Sequence, residues 1–147
     1  QTVSVFEYDS RGNKTDWTVY NSGGSVLSKT KYLNEGDLNT RIEIFDAAEE
    51  LKEYFILEYK QDKLVSKSHY DEEDKIKSST DYGYDDSGNL VEETYLRANG
   101  SVLRQIEYIN DERGNPIKIK YYDGSGVLKD LVEREYEYKR EEIVVWE

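Results

Sequence analysis

The sequence predicts an all-β protein: an antiparallel meander of about twelve strands, made by six tandem hairpin repeats of about 25 residues and forming one twisted or curled sheet. Three observations predict it. The stretch YGYDDSGNL at 82–90 returns in blurred form from one end of the chain to the other. Clusters of Gly, Asn, Asp and Ser interrupt the chain at near-regular intervals. Between them, aromatic and β-branched residues alternate with charged ones, the period of a pleated strand.

The segment 82–90 shows how one unit works. Tyr82 and Tyr84 stand two apart, so an extended chain puts both on one face, where aromatic rings suit a half-buried pleated surface. Asp85, Asp86 and Ser87 then offer side chains that bond nearby main-chain groups, and Gly88 and Asn89 tolerate positive φ. Leu90 and Val91 begin the next extended run. Strand, tight turn, strand is a β-hairpin.

In chain order, the units run 3–27, 28–52, 53–77, 78–103, 104–129 and a truncated 130–147, all within a single domain spanning 1–147. One series of turns follows the aromatic positions, at 9–13, 34–37, 60–63, 85–89, 110–115 and 139–142. A second series falls between them, at 21–24, 46–49, 71–74, 97–100 and 123–126. Strand alternation is clearest at Phe6/Tyr8, Ile42/Ile44, Phe55/Leu57/Tyr59, Ile106/Tyr108, Ile117/Ile119/Tyr121 and Tyr136/Tyr138. Positions of opposite parity carry mostly Lys, Glu, Thr and Arg, with Tyr54, Ile56, Tyr122 and Val132 as exceptions, so one buried face and one wet face are expected. Only residues 47–53 could pass for a helical turn. Pro116, the sole proline, is expected as the first residue of a strand, where a missing amide hydrogen does least harm.

Composition narrows the function. Twenty Lys and Arg face 32 Asp and Glu, a formal net charge of −12, which repels nucleic acid and anionic membrane surfaces. The chain has no Cys, which removes thiol nucleophiles, disulfides and thiolate metal sites. No apolar run approaches the roughly 20 residues of a membrane helix. A start at Gln1 already close to strand-like sequence fits removal of an export signal, and an exported, periplasmic or cell-surface location is the expectation.

Candidate chemistry is sparse, and neither a catalytic residue, a cofactor nor a metal is expected. His69, the only histidine, has no accompanying nucleophile motif and reads as a strand-end surface residue. Asp71, Glu72, Glu73 and Asp74, with Asp85 and Asp86, lack the spaced ligand loop of a calcium site and read as solvated turns. Gly23-Gly24 and Gly124-Ser125-Gly126 have no following helix to make a phosphate loop, and read as hairpin turns. The aromatics are the better prospect. Trp17, Tyr20, Tyr95, Tyr121, Tyr122 and Trp146 are the candidate ligand-binding residues, because flat rings beside acids and amides hold the apolar and hydroxylated sides of sugars. Cross-strand aromatic pairing is the structural alternative for each.

YDSRGN at Tyr8, YDDSGN at Tyr84 and YINDERGN at Tyr108 resemble the tyrosine-aspartate repeat of the Rhs and YD-repeat proteins; the turns at 34–37, 60–63 and 139–142 depart from that pattern. The resemblance implies an exported or surface-attached bacterial protein with a structural or carbohydrate-associated role and without catalytic residues. The function expected is a non-catalytic structural or interaction module presenting an acidic, Tyr-rich β surface to a protein or glycan. A carbohydrate-active enzyme using paired carboxylates in a groove is the alternative. A homodimer through the sheet face, or through the apolar terminal run 143–146, is the expected form of any self-association, although that run is first expected to pack into its own sheet.

Overall fold

The computed structural model describes residues 1–139. Its strands are β1 (Val3–Tyr8), β2 (Lys14–Tyr20), β3 (Val26–Glu35), β4 (Leu38–Phe45), β5 (Leu51–Lys60), β6 (Lys63–Asp71), β7 (Ile76–Tyr84), β8 (Leu90–Arg97), β9 (Val102–Asn110), β10 (Pro116–Asp123) and β11 (Leu128–Glu133). Each pairs antiparallel with its sequence neighbours in one open sheet, in the order β1 to β11. All ten chain reversals expected before residue 139 are present, Pro116 opens β10, and residues 47–53 form a tight turn and the start of β5 rather than a helical turn. The reversal expected at 139–142, the strand after it and Trp146 lie outside the described residues.

Two kinds of turn join the strands. Eight are five-residue loops in which the first residue's amide donates to the fifth residue's carbonyl and the fourth donates back to the first, as between Asp85, Gly88 and Asn89 (2.9 Å each). The fourth residue is left-handed, φ +82° at Gly88, which makes this a type I turn with a G1 bulge. The opening Asp supplies the second reason for the sequence pattern: Asp111 Oδ1 accepts the amides of Arg113 and Asn115, both at 2.9 Å. The other two turns are two-residue loops, Gly36-Asp37 and Gln61-Asp62. That shortening is why 34–37 and 60–63 depart from the repeat in sequence.

The tyrosine of the repeat has a separate role. Register slips by one residue near the start of each even-numbered strand, at Thr15, Thr40, Val65, Val91 and Ile117. The next odd-numbered strand loses its backbone pairing at this end: β6 and β7 pair no further than Ser66 and Asp81. Side chains cross the gap. Asn34 donates to the Lys14 carbonyl, Tyr59 to Asn39, Tyr84 to Leu64, Asn110 to Leu90 and Tyr136 to Pro116, at 2.8–3.1 Å and always twenty residues back. Main-chain acceptors that the bulge strands are thereby satisfied.

Residues opposite one another in an antiparallel ladder share a face. On the aromatic face one row runs Phe6, Trp17, Thr30, Ile44; another Tyr32, Ile42, Phe55, His69, Ser78; a third Tyr82, Glu93, Ile106, Tyr121. The charged face carries Asp16, Lys29, Arg41, Glu43, Glu92, Glu107 and Lys120, with Tyr54, Ile56 and Tyr122 among them. Val132, expected on the charged side, instead faces Ile119 on the aromatic face, because the register shift beside Tyr122 changes the parity of β11. Each row drifts two residues per repeat: Thr30 leads through Ile44 to Glu53, not to its equivalent Phe55. Such a steady stagger coils a sheet.

The expected buried face is not formed. Tyr54, Ile106, Ile119 and Thr30 alone fall in the buried class among the described residues, and Tyr54 belongs to the charged face. The accessible area is 10711 Å², against about 7,800 Å² for a compact monomer of this mass. A single layer has no second layer to cover it, so shielding comes from cross-strand neighbours. Tyr54 is buried in that way, stacked on Tyr70 at 5.0 Å with the Arg41 guanidinium 3.9 Å from its ring centre.

Candidate functional site

The sheet brings together some of the aromatic residues singled out from sequence and separates others. Trp17 sits in β2 on the aromatic face, stacked on Phe6 with ring centres 5.8 Å apart. Tyr20 ends β2 opposite Val3 on the charged face, far along the chain from Tyr122, which shares that face and donates to Glu107 Oε2 at 2.9 Å. Tyr95 and Tyr121 lie on the aromatic face, Tyr95 bonded to Glu93 and Tyr121 in the same cross-strand row as Glu93, opposite Ile106. Trp146 is outside the described residues.

Glu93 is the centre of the best-defined constellation. Its Oε2 accepts the Tyr95 phenol at 3.0 Å and the Tyr108 phenol at 3.2 Å. Tyr82 lies opposite Glu93 on β7, and Tyr121 lies opposite Ile106 on β10, so four consecutive strands each contribute a tyrosine. The Arg104 guanidinium covers the Tyr95 ring at 4.1 Å. Burial, the Glu93 charge and its hydrogen bond push the Tyr108 phenol up to about 12. Burial also raises Tyr82, and burial followed by the Glu93 hydrogen bond raises Tyr95. The cluster therefore offers neutral phenols and ring faces around one anion. Sequence reading placed Tyr108 in a core row and passed over Glu93, because only the cross-strand register sets Tyr82, Glu93 and Ile106 in line.

Other chemistry-bearing groups are mostly engaged. His69 is not at a strand end: it sits within β6, half-buried, stacked on Phe55 at 4.5 Å and 2.6 Å from Glu53 Oε2. Ser78 faces it from β7, with no hydrogen bond between them among the described residues. Asp71 Oδ1 is taken by the amides of Glu73 and Lys75, and no group of three or more metal-ligating side chains occurs among the described residues. Gly23-Gly24 and Gly124-Ser125-Gly126 close hairpins. Among the described residues carboxylates stand directly opposite one another at Glu7/Asp16, Glu53/Asp71 and, on the open charged face, Glu92/Glu107. A depression of about 650 Å³, open to solvent, is lined by strand-end and turn residues including Lys60, Tyr84 and Asp85. Among the described residues no helix is long and apolar enough to cross a membrane.

No protein-family model and no curated protein matches the chain. Solved structures with a similar course include the TcdB2-TccC3-TEV chain, 12% identical with a TM-score of 0.49, where the match covers 90% of this chain and 9% of that one. A porin-like protein from Bacteroides uniformis is 14% identical with a TM-score of 0.45, over 80% of this chain and 46% of the other. A protein of unknown function from Bacteroides fragilis is 12% identical with a TM-score of 0.40, over 91% and 92%. The chain thus spans about a tenth of the TcdB2-TccC3-TEV chain it matches.

Proposed function

We propose that the chain is a non-catalytic interaction module of an exported or cell-envelope bacterial protein, of the tyrosine-aspartate repeat kind, presenting its Tyr-rich surface to a protein or glycan. The observation that carries this reading is the Glu93 cluster on an open sheet face. Rings from Tyr82, Tyr95 and Tyr108 flank a carboxylate and an arginine, with Tyr121 further along the same row, the groups that take the apolar face and the hydroxyls of a sugar. That favours the glycan over the protein partner. The repeat motif in the sequence supports the envelope setting.

A glycan array probed with the whole chain tests the reading, with hits re-measured on Tyr95→Ala and Tyr121→Ala. One consistent class of glycan, bound roughly tenfold more weakly by each variant, supports it. An array without hits removes the glycan. Hydrolysis of any polysaccharide that is lost in Glu92→Gln or Glu107→Gln replaces the module with the carbohydrate-active alternative.

A further inference from the structure

Apart from the aspartates that close turns, the half-buried carboxylates on the described strands are Asp16, Glu43, Glu53, Glu93 and Glu107. Four of them have a basic partner. Lys29 lies 3.1 Å from Asp16, Arg41 2.8 Å from Glu43, the His69 imidazole 2.6 Å from Glu53 and Lys120 3.4 Å from Glu107. Glu93 forms no ion pair among the described residues. Its Oε2 accepts the phenols of Tyr95 at 3.0 Å and Tyr108 at 3.2 Å, and Tyr82 stands opposite it on β7. Its Oε1 accepts no hydrogen bond among the described residues. Arg104, opposite Tyr95, rests on that ring 4.1 Å from its centre rather than on the carboxylate.

A carboxylate drawn partly out of water without a countercharge is costly to hold. The neighbours of Glu93 do not relieve it: burial raises the phenols of Tyr82, Tyr95 and Tyr108, which therefore stay neutral. The cluster thus presents one unengaged carboxylate oxygen beside aromatic rings, and a cation with an apolar flank complements both.

Building on the glycan reading above, we infer that the Glu93 cluster selects a glycan with free amino groups, built from an amino sugar whose nitrogen is not acylated. The ammonium of that sugar pairs with Glu93 Oε1, and the C–H face of its ring lies against the tyrosines. An acylated nitrogen has no charge to offer. A neutral sugar leaves Glu93 uncompensated, and a uronic acid sets a second carboxylate against it. The net charge of −12 draws a cationic chain towards the sheet.

Titration calorimetry on the whole chain tests this with glucosamine oligomers against N-acetylglucosamine, glucose and galacturonic acid oligomers of equal length. The glucosamine oligomer is expected to bind roughly tenfold more tightly than the other three, and less tightly as salt rises. Glu93→Gln retains an acceptor oxygen for the two phenols, and is expected to erase that preference with an unchanged far-ultraviolet spectrum. Glu92→Gln removes the same charge from the opposite face and is expected to preserve it. Equal losses in the two variants mean diffuse attraction to an acidic protein and overturn the inference. An acetylated, neutral or acidic oligomer bound as tightly as the amine also overturns it, while the glycan reading stands. A glycan array without hits removes both.

Discussion

The Tyr84 phenol donates to the main-chain carbonyl of Leu64, 2.8 Å away, twenty residues earlier and one strand over. This contact explains why an aromatic precedes the turn in a repeat whose glycine and aspartate are already accounted for by the turn itself. The bulge at Val65 opens the ladder beside it, and a side chain as long as tyrosine spans the opening. Removing the hydroxyl leaves a half-buried acceptor unsatisfied. Tyr84→Phe and Tyr59→Phe are each expected to lower stability by about 1 kcal/mol, read as a lower urea midpoint at unchanged slope. Tyr8→Phe, at an exposed side chain without a hydrogen-bond partner among the described residues, is expected to change nothing, and equal losses at all three positions would contradict this role.

Left-handed positions occupied by residues other than glycine are the next place to look. Glu49 and Asp74 have φ of 61° and 62° where most equivalent turns have glycine. Glu49→Gly is expected to raise stability by up to about 1 kcal/mol as the Cβ strain is released. Asp74→Gly releases the same strain but deletes the carboxylate that accepts the Tyr54 phenol at 2.8 Å, so no gain is expected. Parallel thermal melts of the two variants separate strain from contact.

Glycines in these turns are required for two different reasons. A Cβ at Gly124 would sit 2.3 Å from the Val102 carbonyl oxygen, which is main chain and cannot swing aside. Gly100, at φ +80°, has nothing within 4 Å, so alanine there meets only backbone strain. Gly124→Ala is expected to cost about 2–3 kcal/mol and Gly100→Ala about 1 kcal/mol. The reverse order in chemical denaturation would show that the two hairpin ends near Val102 and Gly124 do not approach as closely as described.

Acid is expected to weaken the fold through the turn aspartates. Main-chain amides hold Asp9, Asp46, Asp71 and Asp85 below the ordinary carboxylate value, as does the Tyr138 hydroxyl, followed by the Asn115 amide, at Asp111. At Asp123 the leading cause is the Ser125 hydroxyl, followed by Lys129. Because the folded values are depressed, the stabilisation is complete above the unfolded value of about 4 and is lost as pH falls through the folded values. Stability is expected to be flat from neutrality to about pH 5 and to fall below about pH 4. Asn21 accepts the same pair of amides without a charge, from Gly23 and Ser25. Asp85→Asn is therefore expected to keep the turn and flatten the acid limb, as melting temperature against pH will show.

The Glu93 cluster has an alkaline signature. The Tyr108 phenol, raised to about 12 first by burial and then by the Glu93 charge, holds its proton after ordinary tyrosines have lost theirs. A raised folded value means stabilisation that is intact below the unfolded value of about 10 and declines as pH climbs from there to about 12. Ultraviolet titration at the phenolate band is expected to show at least one late tyrosine in the native chain. Glu93→Gln should move it part of the way back, since burial remains.

Much of this was legible in the sequence because it is local. Asp111 and Gly114 each act within five residues, through amide acceptance and positive φ, so turn positions follow from residue type. The latch of Tyr84 onto Leu64 was less so: the tyrosine stood out as a repeat, but its partner is a carbonyl that no residue type marks. His69 read as a surface residue because Phe55 and Glu53, which shield it, belong to the neighbouring strand.

Residue order by itself determined the strands, the turns, the repeat length and the neighbour-to-neighbour antiparallel course, since each hairpin depends on contacts a few residues apart. Only the tertiary structure decided which tyrosines meet around Glu93, that Tyr20 and Tyr122 point away from Tyr95 and Tyr121, and that a single layer leaves both faces open. The physical reason is register: a one-residue bulge in each ladder changes parity, and its cumulative effect over eleven strands appears in no single segment.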